Sequence, residues 1–171
     1  MTVAFRIEPL GPHHNRQEFS CGVPALDGYF RTLVSQDVKR RISNCFVACG
    51  NDGEVAGFYT FAASSLLLSE LPEDQKKRLP RYAALPAGLI GRLAVAKAFQ
   101  GQGLGGAFIL DAAARAARAE PAIFALLVDA KDEAAARFYR YLGFIAFSSR
   151  PATLFLPMAV AMAAIKAAEA K

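Results

Sequence analysis

Apolar and polar residues alternate through FRIEPLG, Phe5 to Gly11, and that two-residue period predicts an opening strand. After Ser20 the period lengthens: Leu26, Tyr29, Phe30 and Leu33 recur at helical spacing behind Pro24, so SCGVPALDGYF is expected to open a capped helix. Two β-rich runs then flank the turn residues GNDGE between Asn44 and Ser64, as in a hairpin. LPEDQKKRLPRYAALPAG, from Leu71, carries three prolines and several charges and reads as a surface connection with one helical turn. LIGRLAV is a strand, and GLGGAFILDAAARAARA a helix rich in the best helix former. PAIFALLVD is apolar throughout, as for a strand covered on both faces. DEAAARFYRYLGF predicts a short helix ended by Gly143, and TLFLPM a last strand. The tail from about residue 159 to 171 is low in complexity, either helical or frayed. No internal repeat interrupts this order, which predicts an α/β fold, a mixed central sheet flanked by helices on both faces.

A chain of 171 residues suits a single domain, residues 1–171. The 54% hydrophobic content and 13 phenylalanines exclude a disordered chain. No apolar run approaches the ~18 residues of a membrane span, and MTVAFRIEPL lacks the basic-then-apolar order of a signal peptide, so a cytoplasmic protein with no membrane partner is expected. Cys21, Cys45 and Cys49 cannot all pair. With only His13 and His14 beside them they read as buried reduced thiols, and no metal is expected. The net charge of +5 gathers at Lys39 to Arg41, Lys76 to Arg78, Arg81 and Arg92, which are either a solvated face or a surface for phosphates.

Gly101, Gly103, Gly105 and Gly106 put four glycines within six residues, where a strand hands over to a helix. Read literally, Gly101-x-Gly103-x-x-Gly106 is a dinucleotide fingerprint, but the ribose-holding acid is misplaced: Glu120 ends a helix and Asp129 comes too late. No Gly-Lys-Ser/Thr follows, which excludes a P-loop. Gln100-x-x-Gly103-x-Gly105 fits better, with successive N–H groups converging on one pyrophosphate at the positive end of the next helix.

Leu93 to Ala112, LAVAKAFQGQGLGGAFILDA, followed by FALLVDAKDEAAARFYRYLGF, resembles the GNAT superfamily of acyl-CoA-dependent N-acetyltransferases. The loop matches its Q/R-x-x-G-x-G/A motif, and Ala135, Tyr139, Gly143 and Phe144 match its second signature. The resemblance implies the GNAT acyl-CoA N-acyltransferase fold, acetyl-CoA as cofactor, and a cofactor site of Leu93, Val95, Gln100, Gly101, Gly103, Leu104, Gly105 and Gly106. Leu93 and Val95 would act through their main chain, one N–H serving as oxyanion donor, although both also suit a strand core. Tyr139 would be the catalytic acid, since a phenol of pKa ~10 stays protonated at neutral pH and can donate to a departing thiolate. Asp129 suits either a base or a cap.

FSCGVPALDGYF from Phe19, with LIGRLAVAKAFQGQGLG and LFLPM, carries a narrower likeness to the tRNA-acetylating toxins of type II toxin–antitoxin modules. It implies acetylation of the α-amino group of aminoacyl-tRNA, a block of translation, and a small ribbon-helix-helix antitoxin whose complex can bind DNA. A homodimer is the expected assembly. Arg78, Arg81 and Arg92 are the candidate tRNA contacts. Two alternatives stay open: the same chemistry on a small amine, peptide or antibiotic, and a binding domain without turnover. The intact loop and Tyr139 speak against the last.

Overall fold

The computed structural model describes residues 4–170. Its strands form a seven-stranded mixed sheet in the order β1-β2-β3-β4-β5-β7-β6, with six α-helices, and the chain divides into two compact units. The first comprises Met1–Ala62 and Gly91–Asp111, the second Ala63–Ile90 and Ala112–Lys171. No helix among the described residues is long and apolar enough to cross a membrane.

In the first unit, β1 (Arg6–Pro9) lies antiparallel to β2 (Asn44–Cys49), which pairs with the start of β3 (Val55–Leu67) across the GNDGE turn. α1 (Pro24–Thr32) and α2 (Val34–Lys39) follow each other with a break at Leu33. Their apolar side chains Tyr29, Phe30 and Val34 pack with Phe19, Cys45, Val47, Phe58 and Ala94. The Phe30 and Phe58 rings stack at 4.3 Å, and Phe19 meets Phe30 edge-on at 4.9 Å. The expected cap is absent: Val23 precedes α1 without a side-chain bond, and Asp27 instead accepts the buried Cys21 N–H at 2.8 Å. Cys21, Cys45 and Cys49 are buried, and none forms a disulfide among the described residues.

The first residues of α4 (Leu104–Arg118) cover the opposite side of this sheet. Phe108 is sealed from solvent and lies against Gly57 of β3, where a Cβ would sit 2.9 Å from its ring and 2.7 Å from the Ala94 carbonyl. Glycine at 57 thus sets how near the helix comes to the strands. The Tyr59 hydroxyl, donating to Asp111 at 2.6 Å, fastens the same helix to β3.

In the second unit, the part of β4 (Ala84–Val95) up to Ile90 pairs in parallel with β5 (Ala125–Asp129), from Ala87 opposite Ala125 to Ile90 opposite Val128. β5 is antiparallel to β7 (Thr153–Pro157), and the two-residue β6 (Ile145–Ala146) adds to β7's other edge. Ala125 to Val128 are all buried, as the unbroken apolar run predicts. β4 begins earlier than its sequence suggests, inside the Pro-rich connection. Pro86 is tolerated there because only its carbonyl is used, accepting the Phe124 N–H at 2.8 Å. The connection keeps one helical turn, α3 (Glu73–Lys76). α5 (Glu133–Tyr141) is capped by Asp132, whose carboxylate accepts the Ala135 N–H at 2.8 Å. The tail, expected as helical or frayed, is helical: α6 spans Met158–Glu169.

Candidate active site

The glycine loop is built to present bare backbone. Gly101 and Gly103 have φ of +82° and +81°, a region that residues with a Cβ enter only at a cost. Two such reversals turn the chain from the short 3₁₀ segment Lys97–Phe99 into α4, whose first bond runs from the Ala107 N–H to the Gly103 carbonyl at 3.1 Å. Among the described residues, the N–H groups of residues 101 to 106 make no hydrogen bond to protein. Six consecutive donors at the positive end of a 15-residue helix form a cradle for an oxyanion, and the donor set fits a diphosphate. Gly101 and Gly103 are exposed, Gly105 and Gly106 half-buried, and Leu104 is buried, its side chain anchoring the helix start.

Gln100 has a task that its spacing did not disclose. Its Nε2 donates to the Val95 carbonyl at 2.9 Å and to the Cys21 carbonyl at 3.0 Å. The side chain therefore clamps the loop to the end of β4 and to the segment before α1, and its contribution to an anion site is to hold the loop's shape.

Leu93 and Val95 follow from the alternation along β4. The Ala96 N–H donates to the Ala56 carbonyl at 2.8 Å and the Arg92 N–H to the Thr60 hydroxyl at 3.0 Å, so the even positions face β3. Strand geometry then turns the N–H groups of Leu93 and Val95 to the other edge. The register with β5 ends at Ile90, while β4 continues through Gly91 to Val95. The Val95 carbonyl accepts from Gln100, and the β5 register does not reach Leu93 or Val95. The side chains of Leu93 and Val95 are only half-buried, and the strand's core role falls on Ala94 and Ala96 instead.

Tyr139 lies on the buried face of α5, 7% exposed, with the Phe138 and Phe144 rings at 5.4 and 5.5 Å. Burial pushes its phenol up to about 12, because a phenolate is poorly solvated there. Among the described residues nothing hydrogen-bonds its hydroxyl, so the group is protonated and free to donate. Tyr141, by contrast, is 88% exposed. Asp129 accepts the Thr153 hydroxyl at 2.8 Å across the β5–β7 pair, a strand-end role.

Arg78 and Arg81 are exposed in the second unit and have no ion pair among the described residues; Arg78 edges a shallow hollow of about 290 Å³ with Leu79, Phe124 and Val160. Arg92 belongs to the first unit, its guanidinium carbon 3.7 Å from the centroid of the Tyr29 ring.

One cluster escaped sequence reasoning. Glu8, His13 and His14 bring potential ligand atoms within 4.8 Å of one another. The His14 Nδ1 accepts the Gly11 N–H at 2.9 Å, however, so its proton sits on Nε2 and points at Glu8, 2.7 Å away. A metal-binding imidazole needs the reverse, a free ligating nitrogen with its other N–H donating outward. The cluster is a hydrogen-bonded tether of the β1 end. Glu8 is held at about 2, chiefly by the hydrogen bond from Arg6 and next by His14.

The chain belongs to the acetyltransferase (GNAT) family, whose model matches residues 13–144. Among curated relatives, a tRNA-acetylating toxin of Mycobacterium tuberculosis is 36% identical over 149 residues, 86% of this chain and 88% of that one. The structure of AtaT complexed with acetyl-methionyl-tRNAfMet is 29% identical with a TM-score of 0.85, covering 94% of this chain and 99% of that one. A tyrosine-to-phenylalanine mutant of AtaT, bound to the C-terminus of the antitoxin AtaR and acetyl-CoA, is 26% identical with a TM-score of 0.76, covering 94% and 97%.

Proposed function

We propose that the protein moves an acetyl group from acetyl-CoA to the α-amino group of an aminoacyl-tRNA and blocks translation as the toxin of a toxin–antitoxin pair in the cytoplasm. The observation that carries the cofactor half is the unbroken row of unpartnered N–H groups from Gly101 to Gly106. The likeness to a tRNA-acetylating toxin over most of both chains supports the acceptor half.

Acetyl-CoA supplies an activated acyl group on a thiol leaving group. In this reading the loop N–H groups bind its diphosphate, and the Leu93 N–H donates to the acyl oxygen as negative charge grows there. The amine forms the new C–N bond as the C–S bond breaks. Tyr139 gives its proton to the departing sulfur, the nitrogen sheds its extra proton to solvent as the amide forms, and the phenol regains a proton from solvent. No carboxylate base is required. An α-amino group has a pKa of ~8, so a useful neutral fraction exists at physiological pH, consistent with Asp129 being occupied by Thr153. Arg78, Arg81 and Arg92 contribute to binding the RNA. A small ribbon-helix-helix antitoxin, a complex able to bind DNA, a homodimer and a single catalytic domain complete the proposal.

The test incubates purified protein with labelled acetyl-CoA and total charged tRNA. Label on an aminoacyl ester, lost on mild alkaline deacylation of the tRNA, is the expected result. Label on a polyamine, peptide or antibiotic with none on tRNA would replace the acceptor and keep the chemistry.

A further inference from the structure

The side chain of Arg92 is held in a way that its role as one basic residue among many does not require. Its guanidinium carbon lies over the Tyr29 ring, 3.7 Å from the centroid, while its own backbone N–H is fixed to the Thr60 hydroxyl at 3.0 Å. The ring beneath it cannot drift. Tyr29 is 6% exposed, its hydroxyl donates to the Asp37 carboxylate at 2.7 Å, and it stacks with the sealed Phe58 at 27°. Asp37 lies in α2, so a helix carboxylate, a helix tyrosine and a strand arginine form one connected series within the first unit. Arg92 is nevertheless exposed and makes no ion pair among the described residues.

That combination has a chemical meaning. Stacking uses the face of a guanidinium and leaves its in-plane N–H donors unspent. Asp37 accepts from the tyrosine hydroxyl and makes no hydrogen bond to the arginine. A rigid fork of donors with no ion-pair partner binds a tetrahedral oxyanion in two-point fashion, and a flexible lysine would not do so equally well. The next residue along β4, Leu93, carries the N–H assigned above to the acyl oxygen. An anion held by Arg92 is therefore one residue removed from the reacting group.

We infer that Tyr29, anchored by Asp37, is a positioning residue that presents Arg92 to a phosphodiester of the acceptor RNA next to its aminoacyl end. The inference rests on the tRNA-acetylating reading and deepens it: Arg92 distinguishes an amine carried on a nucleic acid from a free one. Neither Tyr29 nor Asp37 touches the reacting atoms.

The experiment measures initial rates with charged tRNA at several salt concentrations for wild type, Arg92→Gln, Arg92→Lys, Tyr29→Leu, Tyr29→Phe, Asp37→Ala and the Arg92→Gln/Tyr29→Leu double variant, with acetyl-CoA affinity followed by calorimetry. Arg92→Gln is expected to raise the KM for charged tRNA about tenfold or more, the loss of one charge-assisted hydrogen-bonded pair. It should also flatten log KM against log salt by about 0.7, one phosphate of a single strand. Arg92→Lys should recover only part of the KM. Tyr29→Leu should reproduce the Arg92→Gln effect, and the double variant should be no worse than either, the signature of two residues acting as one. Tyr29→Phe keeps the ring face and should fall between, as should Asp37→Ala, which serves if the leucine variant fails to fold. An unchanged salt slope in Arg92→Gln, additive losses in the double variant, or an equal loss of acetyl-CoA affinity would each overturn the platform. Wild-type protein that acetylates no charged tRNA would overturn the parent reading and this one together, whereas active wild type with indifferent variants would overturn this one alone.

Discussion

Gly103 and Gly106 make opposite predictions from the same loop. A Cβ at either position would meet nothing within 4 Å, so no clash in the free protein obscures the result. Gly106 lies within the first turn of α4 without a positive φ. Alanine there gains about 0.5–1 kcal/mol in helix preference. For 171 residues, at ~2.1 cal/mol/K per residue, that is a rise of roughly 1.5–3 °C in Tm. Its side chain would leave the helix sideways while the N–H groups point along the axis, so acetyl-CoA affinity should change less than about threefold. Gly103 has φ of +81°, where alanine costs about 1–2 kcal/mol, a fall of roughly 3–6 °C. If the substituted alanine relaxes to negative φ, it rotates the neighbouring N–H groups out of the cradle. Losing one or two charge-assisted bonds should weaken acetyl-CoA ~10- to 100-fold. Thermal melts and titration calorimetry on the two variants read both quantities. Gly103→Ala that is destabilised as calculated yet binds acetyl-CoA like wild type would mean the loop's N–H groups do not hold the ligand.

Further outcomes are expected. Tyr139→Phe should lower kcat about 10²-fold with Tm nearly unchanged, since its hydroxyl has no protein bond to lose among the described residues. With that phenol at about 12, the wild-type rate should show no alkaline limb from it below pH ~10, and a limb near pH 8 abolished in Tyr139→Phe would contradict the burial argument. Gly57→Ala forces a Cβ to 2.7 Å from the Ala94 carbonyl and 2.9 Å from the Phe108 ring and should cost about 1–3 kcal/mol in denaturant melts; a neutral result would show that β4 and α4 both give way. Glu8, depressed from 4.5 to about 2, contributes stability that is complete above its unfolded value and lost as pH falls toward 2. The urea-midpoint gap between wild type and Glu8→Gln should therefore shrink between pH 4.5 and 2, and a constant gap would dismiss the tether. Arg78→Gln with Arg81→Gln should flatten the salt dependence of tRNA binding by about 0.7–0.9 for each phosphate no longer neutralised, and an unchanged slope would place the RNA elsewhere.

What could be read from the chain was whatever depends on residues near one another in sequence. The hairpin, the buried β5, the Ala-rich α4 and the glycine loop all carry their cause within a dozen positions. Pro86 misled because proline normally interrupts a strand, and nothing local shows that only its carbonyl is needed. The expected cap at α1 failed because Asp27, inside the helix, captures the Cys21 N–H that a preceding serine would otherwise organise around. The site divides the same way. Its glycines were legible as glycines, but the Gln100 clamp joins residues 79 positions apart, and the seat of Arg92 on Tyr29 is equally non-local. The Glu8–His14 pairing was missed because a histidine's tautomer is set by its neighbours, here the Gly11 N–H.

The alternation along β4 bears on how such an enzyme can diverge. Positions 94 and 96 hold alanines in a packed interior, where added volume is penalised at once. Positions 93 and 95, to which the proposed mechanism gives main-chain roles, leave their side chains half outside, so many residue types should be accepted there with catalysis preserved, proline excepted for want of an N–H. Drift in acyl-chain preference would then accumulate at the odd positions while the even ones stay frozen, and a saturation library across Leu93 to Ala96 would show that tolerance rising and falling with every step.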